Sequence, residues 1–336
     1  MSLSDLDEPA ASLSSVVRRH PGAVDSEDLE ALRRRLGTAR FRQRMVIQVR
    51  HAAGTTHQQP GLLQLSRHID VDRWVAGIVR LSGCYGWGYR NFQDLRVEHN
   101  LFRHPRLPAG LRGLKILQLS DLHLDLEPSL TGLIRERLAG LDYDLVVITG
   151  DFRNKTDTDH GPSIQETLEL LPGLDAPVYA ILGNHDFLEL VPPLERAGVR
   201  FLLNEVVALE RGGDTLYLGG VDDPYFYRTH DLAGVRDAIP EDGFSLLLCH
   251  SPETYREAAA HGFDLMLSGH THGGQICLPG GIAVVRLARV PGAILKGAWD
   301  YHGMLGYTSR GTGSCGVPLR FFCPPEITLH ELAQCQ

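Results

Sequence analysis

Five short apolar runs constrain this chain more than any other feature: LKILQLS (114–120), DLVVITG (144–150), APVYAILG (176–183), FSLLLC (244–249) and FDLMLSG (263–269). Runs of this length are too short for buried helices, and their Val, Ile and Leu content suits strands covered on both faces. Segments between them, such as SLTGLIRERLAG and SPETYREAAAHG, read as helices, with Leu130, Leu133, Ile134 and Leu138 forming an apolar stripe on the first. Strands that alternate with helices predict an α/β fold. RFLLNEVVALERGGDTLYLGGV (200–221) predicts further strands joined by a Gly-Gly turn and paired antiparallel, so the sheet system is expected to be mixed.

Each of the five runs ends on residues that can bind a metal. Asp121 and His123 follow the first, Asp151 the second, Asn184, His185 and Asp186 the third, His250 the fourth, and His270 and His272 the fifth. In open α/β sheets the carboxyl ends of strands converge on one rim, so these groups are expected to meet there. Imidazoles, carboxylates and one amide oxygen suit Mn, Zn, Fe or Co. Nine such groups exceed the needs of a single ion, and two ions about 3.5–4 Å apart would clamp the attacking and leaving oxygens of phosphoryl transfer.

Charge divides the chain. Residues 1–113 carry net +6 and the remainder −14, within a total of −8. The acidic second part disfavours nucleic acid as a partner. Residues 1–23, rich in Ser, Asp and Ala, read as a mobile tail. Residues 24–112 read as a helical region with stripes at Leu29, Leu32 and Leu36 and at Val71, Trp74, Val75 and Ile78, and 113–336 as a separate catalytic domain. The Arg cluster at 33–50 reads as a solvated helix face. The amino-terminal stretch lacks the basic and apolar segments of a signal peptide, and no clean membrane span follows, so a cytoplasmic protein is expected. The six cysteines show no CxxC pairing and read as reduced thiols, which disfavours disulfides and a thiolate zinc site.

DLH (121–123), GD (150–151), GNHD (183–186), His250 and GHTH (269–272), in this order and each at a strand end, resemble the calcineurin-like metallophosphoesterase superfamily over residues 113 to about 332. GHTHGGQICLP, SRG (309–311) and PPEIT (324–328) further resemble a bacterial subgroup that includes UDP-diacylglucosamine pyrophosphatases of lipid A synthesis and related phosphodiesterases. The resemblance implies two packed mixed β-sheets flanked by helices, a four-layer αββα sandwich, with the N-terminal helical segment appended. It implies that Asp121, His123 and His272 hold one divalent transition-metal ion, that Asn184, His250 and His270 hold the other, and that Asp151 bridges both. His185 then stabilises or protonates the leaving group, and Asp186 orients its ring. A metal lowers the pKa of bound water from 15.7 to about 7, which would supply hydroxide at neutral pH. Many relatives carry a carboxylate near the position of Asn154; here Arg153 or Asn154 is expected to contact substrate phosphate instead.

The expected activity is hydrolysis of a phosphodiester or pyrophosphate bond, with a UDP-diacylglucosamine-like lipid precursor as one candidate substrate. A nucleotide or general phosphodiesterase and a non-catalytic scaffold on the same fold are the alternatives, although a scaffold would be expected to have lost donor residues. Asp222, Gln275 and Arg310 are candidate substrate contacts, with an Asx turn before Pro224 the competing reading at GGVDDPYFY. For the N-terminal helices two readings stand: peripheral contact with the inner face of an anionic membrane or cover for acyl chains, or simple packing on the catalytic part.

Overall fold

The computed structural model describes residues 24–52, 71–154, 156, 160–284, 286 and 288–334; the expected tail at 1–23 lies outside them. Among the described residues the N-terminal region contributes four helices, α1 (Ser26–Leu36), α2 (Thr38–Ala52), α3 (Val71–Leu81) and α4 (Tyr85–Gln93). Asp25 caps α1, its carboxylate accepting from Glu27 N and Asp28 N while Asp28 reaches back to the Asp25 amide. Such a cap satisfies amides that the first turn leaves unpaired.

All five apolar runs form strands. They are β2 (Lys115–Leu119), β3 (Leu145–Ile148), β4 (Val178–Ala180), β8 (Phe244–Leu248) and β9 (Leu265–Ser268). With β1 (Arg96–His104), β5 (Val199–Phe201) and β14 (Glu326–Gln334), the first three build a six-stranded sheet in the order β1-β14-β2-β3-β4-β5. The other two join β6 (Glu205–Arg211), β7 (Asp214–Gly220), β12 (Gly297–Tyr301) and β13 (Met304–Thr308) in the order β12-β13-β9-β8-β7-β6, while β10 (Cys277–Leu278) and β11 (Ile282–Ala283) pair with each other alone. Both sheets are mixed: β2, β3, β4 and β5 run parallel and so do β7, β8, β9 and β13, whereas β14–β2, β6–β7 and β12–β13 are antiparallel. The Gly212–Gly213 turn joins β6 to β7 as expected, with both residues at positive φ.

The alternation of side chains, with both faces covered, explains why the runs are mostly apolar. Ile116, Leu145 and Val147 meet Leu246, Leu248, Leu265 and Leu267 between the sheets. Their neighbours Leu117, Leu119, Val146 and Ile148 face outward, where they meet α5 (Ser129–Leu138), α6 (Gly161–Leu170) and α7 (Val191–Arg196) through Leu130, Ile134, Leu170 and Leu194. On the far side, Leu247 and Met266 pack with α8 (Leu232–Asp237) and α9 (Tyr255–Ala260) through Val235 and Ala258. The result is two multi-stranded sheets flanked by helices.

Three N-terminal features depart from the periodicity. β1 lies on the N-terminal side of the expected boundary near residue 112, yet it pairs with β14 along its full length, Arg96 to Glu326 through His104 to Gln334. In α3, Val75 and Val79 pack against Val317, Leu319 and Phe321, and Ile78 of the expected stripe is exposed. Ile78 stands one position from Val79, about 100° round the helix, so a stripe centred on Val75 and Val79 turns it outward. The Arg cluster is not uniformly solvated either. Arg35 of α1 pairs with Glu195 at 2.9 Å and Glu205 at 2.8 Å, and Arg44 of α2 is fully buried. No helix among the described residues is long and apolar enough to cross a membrane.

Candidate metal centre

The loops that leave β2, β3, β4, β8 and β9 converge at one rim, and their ends are built under unusual constraints. Asp121, His123, Asp151, His270 and His272 all have φ between 43° and 68°, a left-handed conformation that costs non-glycine residues roughly 1 kcal/mol or more each. Hydrogen bonds hold them there, Asp121 N to Gly150 O at 2.9 Å and His123 N to Asp151 O at 3.0 Å. The glycine before each motif is a matter of space. A Cβ at Gly183 would meet the Asp151 carboxylate, and one at Gly269 would meet Ser120 Oγ and the Asp121 carboxylate.

The rim brings the seven expected donors together: Asp121, His123, Asp151, Asn184, His250, His270 and His272. Among the described residues, Asp121, His123 and Asp151 form one group of donor atoms within 4.8 Å of one another, and Asp151, His250 and His270 form a second. Asp151 is common to both, its Oδ2 lying 3.2 Å from His250 Nε2 and 3.8 Å from His123 Nε2. Asn184 Oδ1 stands 3.0 Å from His250 Nε2 and 2.8 Å from His270 Nδ1. His272 Nε2 stands 3.4 Å from Asp121 Oδ1 and 3.2 Å from His123 Nε2.

These donors are aimed. His123 Nδ1 donates to Arg153 O at 2.6 Å, and His250 Nδ1 donates to Thr149 O at 2.7 Å. When either ring is neutral, its Nε2 therefore presents a lone pair to other lone pairs, those of Asp151 and, for His250, of Asn184. Such an arrangement calls for a cation or a proton at its centre. The charge balance agrees. Burial opposes the imidazolium of His250, but the Asp151, Asp121 and Asp223 carboxylates together outweigh it and raise the group to about 10; burial likewise opposes His185, where Asp151, Cys315 and the Asn154 carbonyl together raise it to about 10. Burial lowers His123 to about 3 and His270 to about 3, reinforced by the charged imidazoles beside them. Burial likewise raises Asp121 to about 6. Positive charge is drawn to the centre, and the nitrogen and oxygen donors present fit divalent transition-metal ions.

Other expected site residues have different work. Asp186 does not orient His185: its carboxylate accepts from Gly183 N at 2.8 Å, Asp151 N at 2.7 Å and Phe152 N at 2.9 Å, which knits the β3 and β4 loops together. His185 Nδ1 donates instead to Asn154 O at 2.5 Å, and its own amide donates to Asp151 Oδ1 at 2.9 Å. Arg153 is buried with its guanidinium 4.3 Å from the centre of the Phe187 ring, so it does not reach out to a phosphate. Asn154 accepts from Gly316 N at 2.8 Å, and Gln275 brackets Cys315, its Nε2 donating to Cys315 O at 3.0 Å and its Oε1 accepting from Cys315 N at 2.9 Å. Arg310 is spent on Glu326 and Glu98. Asp222 is buried against Arg44 at 2.5 Å and Thr229 Oγ1 at 2.6 Å. Asp223 makes the Asx turn, accepting from Tyr225 N at 3.1 Å and Phe226 N at 2.6 Å. The adjacent Tyr225 ring lies 4.3 Å from that of His270.

Sequence reasoning missed several supports. Ser120 Oγ donates to Asp121 Oδ2 at 2.6 Å. Arg320 is fully buried and donates to His272 O at 3.0 Å and Arg310 O at 2.8 Å. Arg44 sends Nη2 to Asp186 O at 2.9 Å and stacks over Tyr227 at 3.9 Å, so α2 braces the turn that carries Asn184 and His185. No sequence signal singles out Arg44; in the structure it shares a buried helix face with Met45, Gln48 and His51. Arg44→Met is expected to destabilise the protein by roughly 3–5 kcal/mol, because it strands the Asp222 carboxylate in the interior. Urea denaturation checks this, and adding Asp222→Asn should recover part of the loss.

A family model described as calcineurin-like phosphoesterase matches residues 114–274. The uncharacterized metallophosphoesterase YkoQ of Bacillus subtilis is 31% identical over 254 residues, which is 72% of this chain and 92% of that protein. YkuE of the same organism, described in the same words, is 31% identical over 272 residues, 76% of this chain and 92% of that protein. The solved structure of Haemophilus influenzae NAD nucleotidase superposes with a TM-score of 0.43 at 16% identity, covering 59% of this chain and 45% of that one.

Proposed function

The chain belongs to the calcineurin-like metallophosphoesterase family and is a phosphoester hydrolase, and on that premise we propose that it cleaves a phosphodiester or pyrophosphate bond at a centre of two divalent metal ions. The observation that carries this reading is the position of Asp151 Oδ2 between His250 Nε2 and His123 Nε2, shared by two donor groups. Asp121, His123 and His272 would hold one ion, Asn184, His250 and His270 the other, and Asp151 both. When bound, such ions supply activated water at neutral pH and neutralise charge on the phosphoryl oxygens. The chain's own residues do the rest. Thr149 O and Arg153 O set the tautomers of His250 and His123, and Ser120 and the His270 amide hold the Asp121 carboxylate in place. With Nδ1 committed to Asn154 O, His185 keeps its Nε2 proton for the departing oxygen.

Elemental analysis of metal-reconstituted protein is expected to give two ions per chain, with hydrolysis of a chromogenic aryl phosphodiester dependent on them. Saturation at one ion per chain would end the two-metal reading.

A second, narrower reading concerns the substrate. Phe322, Leu278, Ile282 and Val284 are exposed apolar side chains next to the His272 turn: Cys323 Sγ donates to His272 O, and Ala283 lies against Gly274. Exposed apolar surface beside a phosphate-cleaving rim favours a substrate with acyl chains, such as an acylated nucleotide-sugar presented at an anionic membrane face. Turnover of an acylated nucleotide-sugar should exceed that of its deacylated counterpart. Equal kcat/KM for the two would favour a soluble nucleotide or simple diester.

A further inference from the structure

The loop that follows β13 delivers a thiol to the metal centre. Residues 309–316 are pinned along their length: Thr312 N donates to Ser120 O at 2.7 Å, Gly313 N to Asp121 O at 2.9 Å, and Arg320 Nε to Ser314 Oγ at 2.9 Å. Cys315 itself is clamped on both sides. Gln275 takes its amide and carbonyl, and Asn154 takes the amide of Gly316. Two polar side chains that sequence reasoning gave to substrate thus hold the backbone around one cysteine. Their effect is to aim Cys315 Sγ at the rim, 3.8 Å from His185 Nε2 and in a group with His123 and His272 whose donor atoms all lie within 4.8 Å of one another.

The other described thiols have no such position. Cys249 is buried against Ser251 and Thr254, Cys277 and Cys323 bond to backbone carbonyls of the 272–273 turn, and Cys84 begins α4. Cys315 is half-buried and stands beside two imidazoles whose Nε2 atoms face each other at 3.2 Å. Donor atoms of a tetrahedral zinc site stand roughly 3.3–3.8 Å apart, given Zn–N near 2.0–2.1 Å and Zn–S near 2.3 Å, so closure of about 1 Å around an ion would bring Sγ into coordination.

We propose that Cys315 is a thiolate ligand of the ion held by His123 and His272, which makes that half of the centre a soft site that prefers zinc or cobalt to manganese or magnesium. This rests on the metal-centre reading above and departs from its expectation of nitrogen and oxygen donors alone. On binding, the S–H proton leaves to solvent and the sulfur bonds the ion as thiolate.

The test is cobalt(II) titrated into the metal-free full-length chain under reducing conditions. Binding at the centre gives visible d–d absorption, and coordination by Cys315 adds a near-ultraviolet sulfur-to-cobalt charge-transfer band. Cys315→Ser is expected to keep the visible absorption, lose the charge-transfer band, and weaken zinc at least about tenfold while leaving manganese affinity unchanged. Visible absorption without the charge-transfer band in the unaltered protein, or a band that survives Cys315→Ser, would overturn the assignment of Cys315 alone. Absence of any cobalt binding would overturn the metal centre with it. A measurement on the unaltered chain guards against a misfolded variant: zinc should slow iodoacetamide alkylation of the Cys315 peptide, read by mass spectrometry, at least about tenfold. An unchanged rate at saturating zinc overturns the proposal.

Discussion

Asp151→Ala is expected to abolish turnover and to empty both halves of the metal centre while leaving the chain folded. Among the described residues, Asp151 Oδ2 is the one carboxylate oxygen that faces both His250 and His123, and its Oδ1 accepts the His185 amide at 2.9 Å. Removing it deletes a donor from each of the two groups at once, and it takes away the carboxylate that favours the charged forms of His250 and His185 when no metal is bound. The fold should survive, because the side chain stands at the rim beyond β3, whose own residues Leu145 to Ile148 keep their packing on both faces. Elemental analysis, a phosphodiester assay and thermal unfolding read the three parts of this expectation. A variant that still carries two ions and turns over would remove Asp151 from the bridging position.

His185→Ala should behave differently. Both ions should remain, since its ring belongs to none of the donor groups and the backbone amide that supports Asp151 survives the substitution. Turnover should fall by about 10²- to 10⁴-fold, the usual worth of general acid assistance. The loss should be largest for alkyl leaving groups and smallest for nitrophenolates, whose departing oxygen needs little help. The measurement is the dependence of kcat on leaving-group pKa across a series of aryl and alkyl diesters, in the variant and the unaltered chain. Parallel lines would assign His185 to positioning, through Asp151 and Cys315, and take the proton transfer away from it.

Much of this protein is written locally. The strands β2, β3, β4, β8 and β9 are legible because a strand buried on both faces needs mostly apolar residues, and that requirement is met within six to eight residues. The donors are legible for a related reason. Asp121, Asp151, Asn184, His250 and His270 each stand just beyond a strand end, where the chain must leave the sheet, and parallel neighbours carry those ends to one rim. Type and place therefore follow from the sequence without knowledge of what lies across the gap.

The supporting roles are not local, and residue type alone misassigns them. Asn154, Gln275 and Arg310 look like groups for a phosphate until Gly316, Cys315, Glu326 and Glu98 come to them from up to 212 residues away in the chain. Arg44 belongs to a cluster that reads as solvated, and only the docking of α2 buries it on an Asp222 that lies 178 residues further on. By residue type Asp186 is placed to orient its neighbour, but the crossing of the β3 and β4 loops offers it four backbone amides, which a buried carboxylate accepts in preference to a ring already bonded to Asn154. The left-handed backbone of five donors likewise leaves no trace in residue type. The sheet framework and the set of donors at its rim follow from the residue order, because strand periodicity and strand-end position are properties of a few consecutive residues. The tertiary structure alone decided which polar groups hold that rim in shape and which cysteine reaches it, because those contacts join segments that only the completed fold brings within hydrogen-bonding distance.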